Sequence, residues 1–195
     1  MATYTSGSSA SYTMTGKYYE SVYVYVVYEK IPNEYSIEYD LNRGTSSNAP
    51  ALGTHAPAKG VYDTTFTVSH PTMVGYTFTG WTITGMSSDW THYYGSNTTT
   101  ATTLTNIKDT TFKNLRATAG TVTFKANWTP ITYSISYELN RGNAATTPAH
   151  GSSHPGTATY DVAFTVSNPS MKGYTFTGWT LDGEAVAVVC FAIWV

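Results

Sequence analysis

The stretch GYTFTGWT occupies residues 75–82 and recurs letter for letter at 173–180, 98 residues further on. Sliding the chain along itself by that interval aligns residues 35–82 with 133–180 without a gap, and 28 of the 48 positions are identical. A catalytic group is needed once per site, whereas each folding unit needs its own core. A duplicated block of this length therefore constrains the chain to repeated folding modules. The identities are dense at both ends of the block and sparse over residues 45–64, as expected of strands flanking a variable loop.

The conserved blocks alternate. Tyr35, Ile37, Tyr39 and Leu41 share one face against Ser36, Glu38 and Asp40, and Tyr133, Ile135, Tyr137 and Leu139 repeat the pattern. Alternation of this kind marks a strand with one buried and one wet face. Asn42-Arg43-Gly44 and Asn140-Arg141-Gly142 then supply turn chemistry. Further on, Val122, Phe124, Ala126 and Trp128 alternate against Thr121, Thr123, Lys125 and Asn127 as the closing strand of the first copy. In the octet, Tyr76 and Phe78 have one parity and Trp81 the other. A bulge at Gly80 would bring all three aromatics to one face, and Gly178 would do the same for Tyr174, Phe176 and Trp179.

Composition agrees with a mainly β protein. Thr abounds, there are 17 Tyr, and both residue types favour a half-buried pleated surface. Residues 84–120 carry no helical period and read as loops with one or two short exposed strands. Charged residues make up only 11% of the chain, the net charge is −2, and the Lys and Arg are scattered, so no nucleic-acid partner is expected. Cys190 is the single cysteine, which excludes an intrachain disulfide. The longest apolar run, 185–195, falls short of the roughly 20 residues of a spanning helix, so no membrane span is expected. The start of the chain lacks the pattern of an export signal, so an exported form is expected to be a piece of a longer protein.

Residues 21–32, SVYVYVVYEKIP, are similar to 120–131, GTVTFKANWTPI. The expected organisation is the end of a preceding partial module at 1–33, a complete repeat at 34–130 and a truncated repeat at 131–195. Pro32 and Pro130 stand just before each repeat, and short joints stiffened by Pro point to a semi-rigid array. In the tail, Asp182-Gly183 is a strong hairpin signal, predicting that residues 185–195 fold back antiparallel on 174–180.

The order LNRG, then PTMVGYTFTGW or PSMKGYTFTGW, then TVTFKANW resembles the Listeria/Bacteroides repeat family, the B-repeats of internalin-type bacterial surface proteins. The resemblance extends over 34–130 and over part of the second copy. It implies tandem small β-grasp-like modules on the extracellular or wall-attached part of a bacterial protein, acting as stalk or adhesive segment without catalysis. It also implies that Gly75, Tyr76, Phe78, Gly80, Trp81 and Trp128, with Gly173, Tyr174, Phe176, Gly178 and Trp179, are structural signature positions. Arg43 and Arg141 stand where the family usually has a second Gly.

Candidate sites are few. His150 and His154 in HGSSH have a spacing open to a metal, but no acidic residue is near, so an exposed loop is the expected reading and no cofactor or metal is assigned. Asp63 and Asp161 follow Tyr at equivalent positions, which suits a turn better than paired acid and base. No nucleophile or phosphate-cradling context occurs, and Cys190 in its apolar run reads as buried. Tyr23, Tyr25, Trp90, Tyr93 and Tyr94 fit no obvious buried face, and Trp90, Tyr93 and Tyr94 are a possible ligand platform for stacking on sugars. The expected partner is a host or neighbour-cell surface protein or glycan, and a carbohydrate-binding module is the alternative to a repeat stalk.

Overall fold

The computed structural model describes residues 31–88, 91–181 and 184–186, the last three by backbone alone. The expectations for 1–30, with Tyr23 and Tyr25, and for Trp90, the Asp182-Gly183 turn, Cys190 and the end of the tail lie outside the described residues. All regular structure among them is β. The first copy holds β1 (Glu34–Asp40), β2 (Lys59–Val61), β3 (Phe66–Thr67), β4 (Tyr76–Thr84), β5 (His92–Tyr94), β6 (Asn97–Thr99), β7 (Leu104–Ile107), β8 (Thr111–Lys113) and β9 (Thr121–Pro130). The second holds β10 (Thr132–Ser134), β11 (Thr157–Thr159), β12 (Trp179–Leu181) and β13 (Glu184–Val186).

Five strands form the main sheet in the order β2-β1-β9-β4-β7. The long strands at either end of the copy, β1 and β9, run parallel side by side, and β4 pairs antiparallel with β9. This mixed sheet has the β-grasp-like ordering. Along β1, Tyr35 and Ile37 are buried while Ser36, Glu38 and Asp40 are exposed, as the alternation requires. Asn42 and Gly44 take positive φ where the strand ends. Arg43 holds the loop that follows, its Nε donating to the Ser46 carbonyl at 2.6 Å. Burial pushes the phenols of Tyr35 and Tyr39 up to about 12.

The expected bulge is present. Phe78 faces Trp128 and Gly80 faces Asn127 across β9, so Thr79 is the extra residue. The shift brings Trp81 beside Phe78, ring centroids 5.2 Å apart and edge to face, and Trp81 is fully buried. Gly80 has φ +136, and a Cβ there would overlap the Asn106 backbone, so both the φ and the crossing demand glycine. Trp128 closes the end, its Nε1 donating to the Leu41 carbonyl at 2.9 Å.

The structure corrects the expectation for residues 84–120. They form four strands, one of which, β7, is the edge of the main sheet, while β8, β5 and β6 continue a second sheet ordered β3-β8-β5-β6. This sheet covers the core: Phe112 and Leu115 are buried, and Phe112 meets Phe124 edge to face at 5.1 Å. His92 is fully buried, and its two ring nitrogens face the carbonyls of Asn114 at 2.7 Å and Ser87 at 2.8 Å. Both bonds form together only when both nitrogens carry hydrogen. The alternation signal failed here because the apolar residues stand singly in strands of three or four residues among Thr and Asn.

The second copy is reduced. Of the alternating stretch 133–139, only Tyr133 and Ser134 are in strand, inside β10, which pairs with β11. Of the return of 185–195 on 174–180 that the sequence predicts, the described residues show only the antiparallel pairing of Trp179–Leu181 with Glu184–Val186, Leu181 opposite Glu184 and Trp179 opposite Val186. No described helix is long and apolar enough to cross a membrane.

Candidate functional site

Within the diverged block, Tyr62-Asp63 and Tyr160-Asp161 are among the few residues both copies keep. Each pair forms a corner after a short strand, β2 or β11, with the Asp at positive φ, 65° and 57°. This is the turn that the sequence indicated for both Asp residues. In the second copy the corner has a further role, because it seats on the first copy.

Tyr160 is only 6% exposed. Its ring lies over Gly75, where φ is +79 and a Cβ would overlap the ring. The glycine is thus required twice, by its backbone conformation and by the ring above it. Tyr76 packs edge to face on Tyr160 at 5.6 Å, an arrangement worth about 0.5–1.5 kcal/mol beyond the area it buries. The Tyr76 hydroxyl donates to Asp161 Oδ2 at 3.0 Å, and Asn48 Nδ2 donates to the Tyr160 hydroxyl. Tyr76's phenol is held above its usual range, first by burial and then by the Asp161 carboxylate. The backbone joins in: Ile131 N–H donates to the Gly75 carbonyl and Tyr160 N–H to the Ile131 carbonyl, both at 2.9 Å. With β9 ending at Pro130 and β10 starting at Thr132, the joint has no slack.

The signature positions therefore divide. Phe78, Trp81 and Trp128 lie in or against the core of the first copy, and Gly80 shapes its bulge. Gly75 and Tyr76 instead belong to the junction, which sequence reasoning missed. The available signal was the Tyr-Asp pair retained within an otherwise diverged block. In the second copy Phe176 and Trp179 touch at 5.3 Å, and both are only partly buried.

Of the possible ligand platform, Tyr93 is 41% exposed with Lys113 Nζ 5.8 Å from its ring centroid. Tyr94, next along β5, packs against the core from the other face. His150 and His154 stack in parallel at 4.5 Å beside Tyr137, and His154 Nδ1 lies 2.8 Å from the Gly151 carbonyl. Among the described residues no three His, Cys, Asp or Glu gather in a way that could hold a metal. The arrangement offers apolar and hydrogen-bonded contact between modules.

Known proteins bear on the chain at the level of the repeat. No curated protein and no solved structure gives a significant match. The family model of the Listeria-Bacteroides repeat domain matches twice, over residues 35–107 and 133–189. The first match stops before β8 and β9, so Trp128 lies outside it, and the second runs past the duplicated octet into the tail. With about two-thirds of its length matched, the chain belongs to the Listeria-Bacteroides repeat domain family, a family of bacterial surface repeats.

Proposed function

We propose that the chain is a non-catalytic segment of a bacterial cell-surface protein, in which repeats are held end to end as a stalk that presents contacts to a protein or glycan on a host or neighbouring cell. The observation that carries this is the junction: Tyr160 seated on Gly75, pinned by Tyr76 and Asn48, with one residue between β9 and β10. A spacer needs its modules at a fixed angle, and a joint with packed aromatics and no free linker supplies one. Tandem presentation then multiplies weak contacts. A sugar-binding platform has less support, since Tyr93 and Tyr94 lie on opposite faces of β5.

Small-angle scattering and pairwise spin-label distances across the junction test the stalk. The full chain is expected to give a narrow distance distribution, which Tyr160→Ala broadens while β1–β9 hydrogen-exchange protection stays unchanged. A distribution that is already broad in the parent chain would defeat the stalk. Turnover in a broad substrate screen that survives purification would defeat the non-catalytic assignment.

A further inference from the structure

In the second copy the loop around Gly151 packs so close to the segment opposite that a Cβ on this glycine would overlap the carbonyls of Ser167 and Asn168. Backbone ties fix the loop on either side. Ala149 and Ser170 exchange amide-to-carbonyl bonds at 2.8 and 2.9 Å, and the Ser167 amide donates to the Ser153 carbonyl at 2.7 Å. Gly53 makes the same close approach in the first copy, against Ser69 and the His70 carbonyl, so the form of the loop belongs to the repeat. What the loop carries differs. Leu52 and Ala56 flank it in the first copy, and His150 and His154 stand at the equivalent positions of the second.

The two imidazoles stack nearly parallel with ring centroids 4.5 Å apart, and Tyr137 meets both edge to face. Tyr137 is itself held, its hydroxyl donating to the Pro155 carbonyl at 3.0 Å. His154 Nδ1 lies 2.8 Å from the Gly151 carbonyl, which can only accept. In the neutral ring Nδ1 therefore carries the hydrogen and Nε2 the lone pair. A metal-bound histidine has this same arrangement, one nitrogen on the ion and the other donating to a carbonyl. Both histidines are exposed.

We propose that His150 and His154 form a two-ligand site for a late first-row divalent cation, Zn²⁺ or Cu²⁺, with water completing the coordination. One ion about 2.0–2.1 Å from each of two nitrogens holds them roughly 3.3–4.1 Å apart, close to the spacing of the stacked rings. A turn of the His150 ring about its Cβ–Cγ bond converts the stack into a chelate while His154 keeps its bond to Gly151. Imidazole ligands favour Zn²⁺ and Cu²⁺, whereas Mg²⁺ and Ca²⁺ require oxygen ligands that this pair does not supply. With two protein ligands the site is looser than a structural site closed by four. The proposal stands on the loop geometry and is independent of the surface role.

The test is nuclear magnetic resonance on the untagged full chain with isotopically labelled histidine, titrated with Zn²⁺ alone. The ring signals of His150 and His154 should move together and saturate at one ion per chain, while those of His55, His70 and His92 stay in place. His150→Leu and His154→Ala introduce the residues that the first copy has at these positions. Each should weaken the response of the remaining ring about tenfold or more, because the chelate is lost. The amides of Ser167 and Ser170 report in the same samples that the loop is intact. Cu²⁺ should displace Zn²⁺, and excess Mg²⁺ should not. A parent chain in which neither ring moves, only one moves, or all five histidines respond equally would overturn the proposal, as would a variant with an intact loop that keeps the parent's affinity.

Discussion

Trp81 and Trp179 stand in identical octets and meet nearly identical aromatic neighbours. Trp81 lies 5.2 Å from Phe78 and 6.0 Å from Tyr39, and Trp179 lies 5.3 Å from Phe176 and 5.8 Å from Tyr137. Yet Trp81 is fully buried and Trp179 only partly. The difference is what lies beyond the aromatic trio. In the first copy Phe124 on β9 touches Trp81 and Tyr39, both at 5.7 Å, and Phe112 on the second sheet touches Phe124 in turn. The second copy has no described counterpart of either strand. Tyr35, 2% exposed in the first copy, corresponds to Tyr133 at 38%. The octet therefore sets local aromatic geometry, and burial comes from the closing strand and the covering sheet.

The sharpest way to break this comparison is to truncate both tryptophans. Trp81→Ala should cost the first copy about 3–5 kcal/mol, because a fully buried ring leaves a cavity that the surrounding sheets cannot fill. Trp179→Ala should cost less than Trp81→Ala, about 1–3 kcal/mol, since the ring is only partly buried and the cavity it leaves is open on one side. Hydrogen exchange along β9 and along β10–β11 in the full chain reads the two effects separately. Equal losses would mean that the octet is itself the core.

A smaller effect isolates the bulge. Gly80→Ala places a Cβ against the Asn106 backbone at a φ that L residues avoid, with an expected loss of about 1–3 kcal/mol. Denaturant unfolding followed by tryptophan fluorescence measures it. An unchanged midpoint would show that β7 moves aside freely.

The smallest effect is one of pH. Tyr35 and Tyr39 carry phenols raised from 10.0 to about 12 by burial, so the folded first copy holds them neutral more firmly than the unfolded chain does. Their contribution to stability is complete below pH 10 and declines as pH rises from 10 through 12. Phenolate absorbance should therefore appear in step with loss of β9 protection. Ionisation of these tyrosines ahead of unfolding would contradict their burial.

Much of the first copy was legible because its long strands obey simple alternation: Tyr35 and Ile37 inward on β1, Val122 and Phe124 inward on β9. The bulge was legible because a parity conflict between Phe78 and Trp81 had a glycine between them. The covering sheet was not, since His92 and Phe112 stand in strands of three residues, too short to show a period, and Leu115 lies just beyond one. The second copy shows the limit of pattern in the other direction. Its residues 133–139 alternate as faithfully as β1, yet with no closing strand beside them among the described residues most form no ladder. The junction was hidden for a different reason. Tyr62 and Tyr160 gave the same letters, and only the three-dimensional placement shows that one module's corner rests on another module's glycine.

The position of β9 has a consequence for the order of events in synthesis. It is the last strand of the first copy to be made and the one that sits between β1 and β4, with Ser36 opposite Thr121 across most of the copy's length. The earlier strands cannot pair into the finished sheet while this place is empty, so the copy stays open until residue 130 has emerged from the ribosome. Long-range parallel pairing of this kind is slow, because the intervening chain must first be ordered. The nascent repeat thus remains threadable until its last strand arrives.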